Sequence, residues 1–205
     1  MKLPFSALTL ATGNAHKVQE LQTSLASLGV PLLSLRDFPD ATPVVEDGET
    51  LRDNAIKKAI GYAQQTGQWV LADDTGLEVA ALGGQPGVRS ARYAGEQATA
   101  QDNRAKLLAA LLDVPQAKRS ARFVCHLAIA DPHGEIYCEA IGECGGRIRD
   151  EARGQYGIGY DALLEITEYR RRLAEMSPAA TRLIGHRGRA AQRLVRELRR
   201  LAAKH

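Results

Sequence analysis

The chain has 205 residues and a formal net charge of +3, which is enough chain for one large domain or two smaller lobes with a buried core. Hydrophobic residues make up 44% and charged residues 25%, as in ordinary globular proteins. No apolar run approaches the roughly 18 residues of a membrane span, and the N-terminal residues do not show the charged-then-apolar pattern of a secretion signal, so neither membrane spanning nor secretion is expected. Cys125, Cys138 and Cys144 lack metal-ligand spacing, and we expect reduced thiols in a cytoplasmic protein.

Charge is distributed unevenly along the sequence. From Glu168 to His205 there are 11 Lys or Arg residues against 3 Asp or Glu, while the remainder is acidic. The basic segment could bind nucleic acid, or a basic and an acidic wall could together hold a polyphosphate and a metal. No aromatic residues are interleaved with the basic ones as in single-strand binding. We therefore expect solvated surface at Arg170, Arg171, Arg172, Arg193, Arg196, Arg199 and Arg200.

The first half of the chain alternates predicted strands and helices. Residues 7–11 predict a short buried strand, and residues 30–35 a second one. Residues 16–29 predict a helix that ends at Gly29, because apolar side chains recur every three or four positions. Residues 49–67 predict a second helix, whose inner face would consist of Leu51, Ala55, Ala59 and Ala63.

The second half continues this alternation and adds a hairpin. Residues 69–72 predict a strand that ends in the loop DDTG, and residues 99–114 a helix capped by Thr99. Residues 121–144 predict an antiparallel hairpin around the type I turn sequence DPHG. Residues 177–203 predict one last helix, with Ser177 as cap and Pro178 at its first position. This order of elements predicts an α/β fold with a mixed sheet and flanking helices.

The turn Thr12-Gly13-Asn14, followed by Lys17, joins the first strand to the first helix. A helix N-terminus offers N–H groups and a partial positive charge, which favour a phosphate. Gly13 permits a close approach of the backbone, Asn14 can donate from its amide, and Lys17 can reach a phosphate oxygen. The Walker sequence G-x-x-x-x-G-K-[ST] is absent. A phosphate site and an ordinary turn with a solvated lysine both remain open.

Acidic residues stand at two other junctions. Asp73 and Asp74 follow the predicted strand at 69–72, and a turn at Asp74 would bring both side chains inward. Carboxylates at a strand end commonly hold Mg²⁺ beside phosphates, because this hard ion prefers oxygen ligands. Glu46 precedes the second helix and would be a third oxygen donor. The alternatives are an Asp-rich turn and an exposed loop acid.

Two later stretches are candidates for base recognition. In YGIGYD (156–161), Gly157 and Gly159 would let a flat base approach the backbone, while Asp161 could accept from a base N–H. A plain flexible turn is the alternative. In GHRGRA, His186 and Arg187 fall inside the last predicted helix, where an ordinary basic helix face is the alternative.

Together, and in this order, these stretches resemble the inosine/xanthosine triphosphate pyrophosphatase (Ham1-like) family over residues 7–196. The resemblance rests on LATGNAHKVQEL, VEDGETLRDNAIKKA, LADDTGLEVAALGGQPGVRSARYAG, GYD, and AEMSP followed by GHRGRA. It implies an α/β fold with an elongated mixed sheet and flanking helices, with two lobes around a central cleft in a single domain spanning 1–205.

The resemblance also implies an activity. The enzyme would use Mg²⁺ to hydrolyse the purine nucleoside triphosphates ITP, dITP and XTP to the monophosphate and pyrophosphate, and so cleanse the nucleotide pool. A cytoplasmic homodimer is implied, with no membrane and no nucleic acid as partner. Asp74 matches the proton acceptor of the family. Glu46 and Asp74 match the magnesium-linked acids, with Asp73 as the neighbouring acid that we group with them.

The resemblance also implies which residues bind the substrate. The triphosphate turn is matched by Thr12, Gly13, Asn14 and Lys17, and Thr75 matches a small hydroxyl residue that touches substrate. The base-binding loop is matched by Ile158, Gly159, Tyr160 and Asp161. His186 and Arg187 match the pair that recognises the 6-keto oxygen of the purine.

Three positions depart from the family pattern. Ile158 stands where members usually have a Phe that stacks on the base, and Thr181 stands where a Lys often contacts substrate. Ala162-Leu163-Leu164 replaces a Pro-hydrophobic-Phe sequence. These changes leave the preferred base and sugar open, and a shifted substrate range is one interpretation. Two other functions also stay open: a catalytically silent nucleotide-binding protein of this fold, and a nucleic-acid-binding protein that uses the basic C-terminal helix.

Overall fold

The computed structural model describes residues 3–203 and contains one mixed sheet with flanking helices. The strands are β1 (Leu8–Leu10), β2 (Leu32–Ser34), β3 (Val70–Val79), β4 (Ser120–Ala130), β5 (Ile136–Ile148), β6 (Leu164–Ile166) and β7 (Arg171–Arg172). The helices are α1 (Ala15–Leu25), α2 (Leu51–Thr66), α3 (Ala100–Ala110), α4 (Pro178–Ile184) and α5 (His186–Ala202). The α/β class expected from the sequence is confirmed.

The seven strands lie in the order β2-β1-β3-β4-β5-β6-β7. β1 pairs in parallel with both β2 and β3, whereas β6 pairs antiparallel with β5 and β7. The turn between β4 and β5 closes through a bond from Asp131 N to Glu135 O of 2.9 Å, and Gly134 N donates to Asp131 O at 2.9 Å. The predicted hairpin is therefore confirmed at its turn.

The first three predicted helices are confirmed, and local chemistry explains their ends. Asn14, Thr50 and Thr99 cap α1, α2 and α3, and the last two form reciprocal capping boxes with Asp53 and Asp102. Gly67 ends α2 in the left-handed conformation at φ 65°. Among the described helices, none combines the length and the apolar character that a membrane crossing requires.

The chain forms two compact units. The first contains the described residues up to Asp74, Cys125–Gly142, and the described residues from Arg187 onward. Its main core joins leucines of β1, α1, β4 and α5, among them Leu8, Leu21, Leu127 and Leu194. The predicted inner face of α2 is buried, and its alanines pack on small residues of β3 and β4. This packing fixes α2 beside the part of β3 that carries Asp73 and Asp74.

The second unit contains Thr75–Val124 and Glu143–His186. Its core includes Leu77, Leu107, Phe123 and Ile148. Arg172 was expected on a solvated surface, and this expectation is wrong. Its side chain is buried and donates to Glu165 at 2.8 Å across the β6–β7 pair, where a carboxylate compensates the buried charge.

Several predicted element boundaries are wrong. The helices α1 and α3 end at Leu25 and Ala110, before the predicted ends at Gly29 and Val114. Two further differences affect β3 and the last predicted helix. β3 does not end before the DDTG sequence but continues through it to Val79. The last predicted helix is broken into α4 and α5 at Gly185, whose backbone is extended with ψ 158°. A Cβ at Gly185 would lie 2.5 Å from Thr181 O, so this close approach requires a glycine. His186 is consequently the first residue of α5 and does not lie inside a longer helix.

Candidate functional site

The turn from β1 into α1 is organised by Asn14. Its Oδ1 accepts from His16 N at 3.0 Å and Lys17 N at 3.2 Å, while its own N–H donates to Thr12 Oγ1 at 3.2 Å. Asn14 thus uses its carbonyl oxygen as a helix cap. A Cβ at Gly13 would meet no atom of the described residues within 4 Å. The packing of the protein itself therefore does not demand a glycine at this exposed position.

Asp73 and Asp74 project from β3 into two different charge environments of the first unit. No turn brings them to the same side, because β3 continues in extended conformation and successive side chains alternate. Lys17 Nζ lies 2.9 Å from Asp73 Oδ2, and Arg187 Nε lies 3.4 Å from the same oxygen. Arg187 Nη1 also donates to Glu20 Oε2 at 2.6 Å. Lys17 and Arg187 from two separate helices therefore meet at Asp73.

Asp74 faces α2 instead. Lys58 Nζ donates to Asp74 Oδ1 at 3.3 Å and to Glu46 Oε2 at 2.7 Å. Asn54 Nδ2 donates to Asp74 Oδ2 at 3.3 Å. Two carboxylates that are 28 positions apart in sequence thus share one ammonium group. The sequence predicted that Glu46 and Asp74 act together, and the structure brings both to Lys58.

The two neighbouring aspartates have pKa values shifted in opposite directions. Burial alone would raise the pKa of Asp73, but the Lys17, Arg187 and Lys58 cations outweigh it and hold that pKa well below its usual range. For Asp74, burial raises the pKa; the Lys58 cation opposes this rise, and the Glu46 carboxylate adds to it, so the pKa lies above its ordinary value. Asp73 is therefore a permanent anion in an ion-pair network, whereas Asp74 is the better proton acceptor.

The donor chemistry around Lys58 fits a divalent cation. Within residues 3–203, no group of three or more His, Cys, Asp or Glu side chains is arranged as a ready metal cage. Glu46 and Asp74 nevertheless converge on one positive charge, and both supply the oxygen ligands that Mg²⁺ prefers. Mg²⁺ is usually held by one or two carboxylates together with waters and substrate phosphates. Glu46 and Asp74 match that donor set, whereas Asp73 is engaged by Lys17 and Arg187.

In the second unit, the stretch YGIGYD (156–161) runs into a short 3₁₀ helix, Gly159–Ala162, and is not simply a flexible turn. Ile158 precedes this helix, and its N–H donates to Asp161 Oδ2 at 2.8 Å. The Tyr160 ring is buried, and its hydroxyl donates to Ser90 O at 2.9 Å. Arg104 Nη1 donates to Gly159 O at 2.9 Å. These contacts hold the stretch in place and leave Ile158 39% exposed.

His186 and Thr75 also belong to the second unit. The imidazole of His186 is buried and stacks on Phe123, with ring centroids 4.6 Å apart and an interplanar angle of 25°. Phe123 therefore fixes the plane of the imidazole. Thr75 directly follows Asp74 on β3 and is half-buried.

Three residues of the first unit were missed in the sequence. Asn54 and Lys58 occupy the inner face of α2 between buried alanines, and buried polar residues on such a face usually have specific partners. Glu20 lies three positions after Lys17 on the same face of α1 and reaches Arg187. The helical period therefore contained a signal for all three, although it could not identify their partners.

Comparison with known proteins gives consistent relationships over almost the full chain. A sequence profile of the Ham1 family matches residues 8–197. A dITP/XTP pyrophosphatase of Desulforamulus reducens is 48% identical over 194 residues, covering 95% of this chain and 96% of that protein. A protein of the same description from Rhodopirellula baltica is 45% identical over 194 residues, 95% of this chain and 93% of that protein.

Solved structures agree with these sequence relationships. A HAM1 protein from Coxiella burnetii superposes with a TM-score of 0.87 at 36% identity, covering 95% of this chain and 98% of that one. A nucleoside-triphosphatase, dITP/XTP pyrophosphatase, from Mycobacterium abscessus gives a TM-score of 0.75 at 39% identity, with 92% and 97% of the two chains covered.

Proposed function

The chain belongs to the Ham1 family, and we propose on that premise that it hydrolyses deaminated purine nucleoside triphosphates. ITP, dITP and XTP are the substrates, and the products are the nucleoside monophosphate and pyrophosphate. The relatives named dITP/XTP pyrophosphatases support the substrate class. The observation that carries the proposal is the pairing of Glu46 and Asp74 on Lys58, beside Asp73 with its Lys17 contact.

Lys17 and the open turn at Gly13 fit a role in binding phosphate oxygens. The turn leaves space beside Gly13, and the Lys17 side chain is 19% exposed while its ammonium pairs with Asp73. A triphosphate carries about four negative charges, so cations must neutralise much of it before water can attack phosphorus. We assign Thr12, Gly13, Asn14 and Lys17 to this neutralisation and orientation.

Asp74 takes the proton of the attacking water in this proposal. In the metal-free protein, burial raises the pKa of Asp74 above the ordinary value, whereas the pKa of neighbouring Asp73 is lowered, so Asp74 is the aspartate of the two that is suited to accept a proton. Glu46 and Asp74 would hold a Mg²⁺ ion, which supplies charge neutralisation to the phosphates when bound. Asp73 lies next to Asp74 in the sequence and anchors Lys17 and Arg187 through its carboxylate.

Base recognition is assigned to the residues that the family resemblance implies for it. The side chain of Ile158 would pack on the purine, and Gly159, Tyr160 and Asp161 would keep it in place. His186 and Arg187 would recognise the 6-keto oxygen, and Thr75 would contact the substrate. A donor aimed at a 6-keto oxygen disfavours ATP, because an amino group there would leave two donors facing each other.

We further propose that residues 1–205 act as one pyrophosphatase domain of two lobes, that two copies form a homodimer, and that the protein works in the cytoplasm on the nucleotide pool. Multi-angle light scattering of the purified chain tests the dimer, because a mass near that of one 22.2 kDa chain would exclude it.

A product-resolved hydrolysis panel tests the proposed function. It compares ITP, XTP and dITP with ATP, GTP and dUTP, with Mg²⁺ and with EDTA. We expect pyrophosphate from the first three at rates at least about 100-fold above those from ATP, as a mismatched buried donor predicts, and no turnover in EDTA. Orthophosphate as the main product, or equal rates with ATP, would contradict the proposal. Tight ITP binding without turnover would instead indicate a catalytically silent nucleotide-binding protein.

A further inference from the structure

The segment that carries Glu46 has no regular secondary structure and lies along α2. Thr42 N and Thr42 Oγ1 both donate to Gln65 Oε1, at 2.7 and 3.1 Å, and Val44 N donates to Tyr62 Oη at 3.4 Å. A Cβ at Gly61 would lie 2.7 Å from Val44 Cγ2, so the segment sits directly on the helix at this point. The contacts move back along α2 as the chain advances. We name residues 42–48 the strap, and it runs antiparallel to α2.

The far end of the strap is tied to Asp74 through one amide side chain. Gly48 N donates to Asn54 Oδ1 at 2.7 Å, and Asn54 Nδ2 donates to Asp74 Oδ2 at 3.3 Å. Asn54 is 1% exposed, so neither end of its amide can turn to solvent. Both contacts fix the orientation of the amide, because Gly48 N–H needs an acceptor and a carboxylate needs a donor. Asn54 therefore connects the strap backbone to Asp74.

Lys58 makes a parallel connection one helical turn later. Its ammonium joins Glu46 Oε2 on the strap to Asp74 Oδ1 on β3. Residues at i and i+4 lie above one another on a helix, so Asn54 and Lys58 form two successive ties between the same partners. Asn54 holds the backbone of the strap, and Lys58 holds its carboxylate. Each carboxylate oxygen of Asp74 therefore accepts one hydrogen bond, one from Asn54 and one from Lys58.

We propose that Asn54 is a positioning residue which presets Glu46 and Asp74 as a matched pair of metal ligands before metal or substrate binds. That Glu46 and Asp74 bind a metal rests on the proposed function. The contacts that position them all lie within α2, the strap and β3. Removing the Asn54 amide releases the strap at Gly48 and leaves one oxygen of Asp74 without its donor. We therefore expect weaker metal binding and a slower chemical step.

Isothermal titration of the metal-free protein with Mn²⁺ alone tests this directly, with steady-state kinetics on ITP as the second readout. In Asn54→Ser, we expect the Mn²⁺ dissociation constant to rise about 10-fold or more, as for other residues that orient metal ligands. We expect kcat to fall by a similar or larger factor while KM for ITP changes by less than about 3-fold, because the nucleotide contacts assigned above are intact. A purely structural role would not separate kcat from KM in this way.

Asn103→Ser is the matched control. Asn103 is also a buried asparagine that holds a loop by two backbone bonds, from Ala94 N at 2.7 Å and to Ala91 O at 2.9 Å, but no acidic side chain is among these partners. Its Mn²⁺ dissociation constant should stay within about 2-fold of the wild type. Equal weakening of Mn²⁺ binding in both variants would overturn the proposal, because a general loss of packing would then explain it.

Three other results separate this inference from the proposed function. Asn54→Ser with wild-type Mn²⁺ affinity and wild-type kcat overturns the inference, even if the wild type releases pyrophosphate from ITP. A wild-type protein that takes up no Mn²⁺ also overturns it, since a preset carboxylate pair should bind the ion alone. Weakened Mn²⁺ binding in Asn54→Ser with no pyrophosphate from wild type supports the inference and refutes the function.

Discussion

Two adjacent aspartates on one strand have opposite electrostatic roles. Asp73 is buried among cations and stays ionised, whereas Asp74 has a raised pKa and only partial compensation from Lys58 and Asn54. Strand alternation separates these environments, so a single extended stretch supplies both an anchor for Lys17 and Arg187 and a carboxylate with a raised pKa. The sequence identified both residues but predicted that a turn would bring them together.

The raised pKa of Asp74 predicts a stability effect of Asp74→Asn in the metal-free protein. An acid whose folded-state pKa lies above its ordinary 3.8 destabilises the fold increasingly as the pH rises above that value, so the penalty is present at neutral pH. The amide removes the penalty, so we expect the thermal midpoint at pH 7 to equal or exceed that of the wild type. Differential scanning calorimetry in EDTA measures it. A thermal midpoint of Asp74→Asn several degrees below that of the wild type would contradict the raised pKa of Asp74.

Lys58 is the counter-ion of Glu46 and Asp74 in the absence of metal. Lys58→Met leaves buried Asp74 without its cation, so we expect a loss of about 3 kcal/mol in the free energy of unfolding, measured by urea titration in EDTA. Mg²⁺ should restore more stability to this variant than to the wild type.

The neighbouring Lys57 provides the control for Lys58. It pairs with Asp47 at 2.5 Å, but both side chains are about half exposed or more. Lys57→Met should change the free energy of unfolding by less than about 1 kcal/mol, with no dependence on Mg²⁺. Equal losses in the two variants would refute the view that Lys58 compensates a buried carboxylate pair.

Ile158 is an exposed aliphatic residue at a position where the family resemblance implies an aromatic one. Ile158→Phe should lower KM for ITP roughly 5-fold, since stacking on a base contributes about 1 kcal/mol or more. Leu112→Phe adds a ring at another exposed position of the second unit, where Leu112 is 77% exposed, and should leave KM unchanged. Steady-state kinetics decides this, and an unaltered KM in Ile158→Phe would argue against contact with the base.

At the scale of elements, helices could be predicted well because their signals are local. The positions of α1 to α3 follow from local signals, without reference to the rest of the chain. These signals are the apolar period, the N-caps Asn14, Thr50 and Thr99, and the glycine that ends α2. The break between α4 and α5 depends on how closely Gly185 approaches Thr181 O, and no local period shows this. The continuation of β3 past Ala72 also escaped prediction, because its charged residues are buried by partners from α1, α2 and α5.

The contact of the strap with α2 predicts an unusual effect of Gly61→Ala. Alanine should favour the helix by up to about 1 kcal/mol, yet its Cβ would lie 2.7 Å from Val44 Cγ2 and displace the strap with Glu46. We therefore expect weaker Mn²⁺ binding without a loss of helix content by circular dichroism. The double variant Val44→Ala/Gly61→Ala makes room for the new methyl group and should recover affinity. Unchanged affinity in the single variant would contradict the contact.

At the scale of the whole molecule, the sequence indicated the charged residues of the candidate phosphate site but not how they pair. The sequence singled out Lys17, Glu46, Asp73 and Asp74, since charged residues at strand and helix ends are conspicuous. The pairings of Asp73 with Arg187 and of Arg187 with Glu20 join residues more than 100 positions apart, which only the folded chain brings together. Arg172 shows the same limit, because its burial against Glu165 depends on strand pairing.

In the proposed function, Asp74 is paired with Glu46 on Lys58 and carries hydrolysis to pyrophosphate. The quantities of pyrophosphate and orthophosphate that the wild type and Asp74→Asn release from ITP in saturating Mg²⁺ test this role. We expect pyrophosphate as the wild-type product and a fall in kcat of at least about 1,000-fold in the variant, whose amide cannot accept the proton. A variant that releases pyrophosphate at the wild-type rate would contradict it.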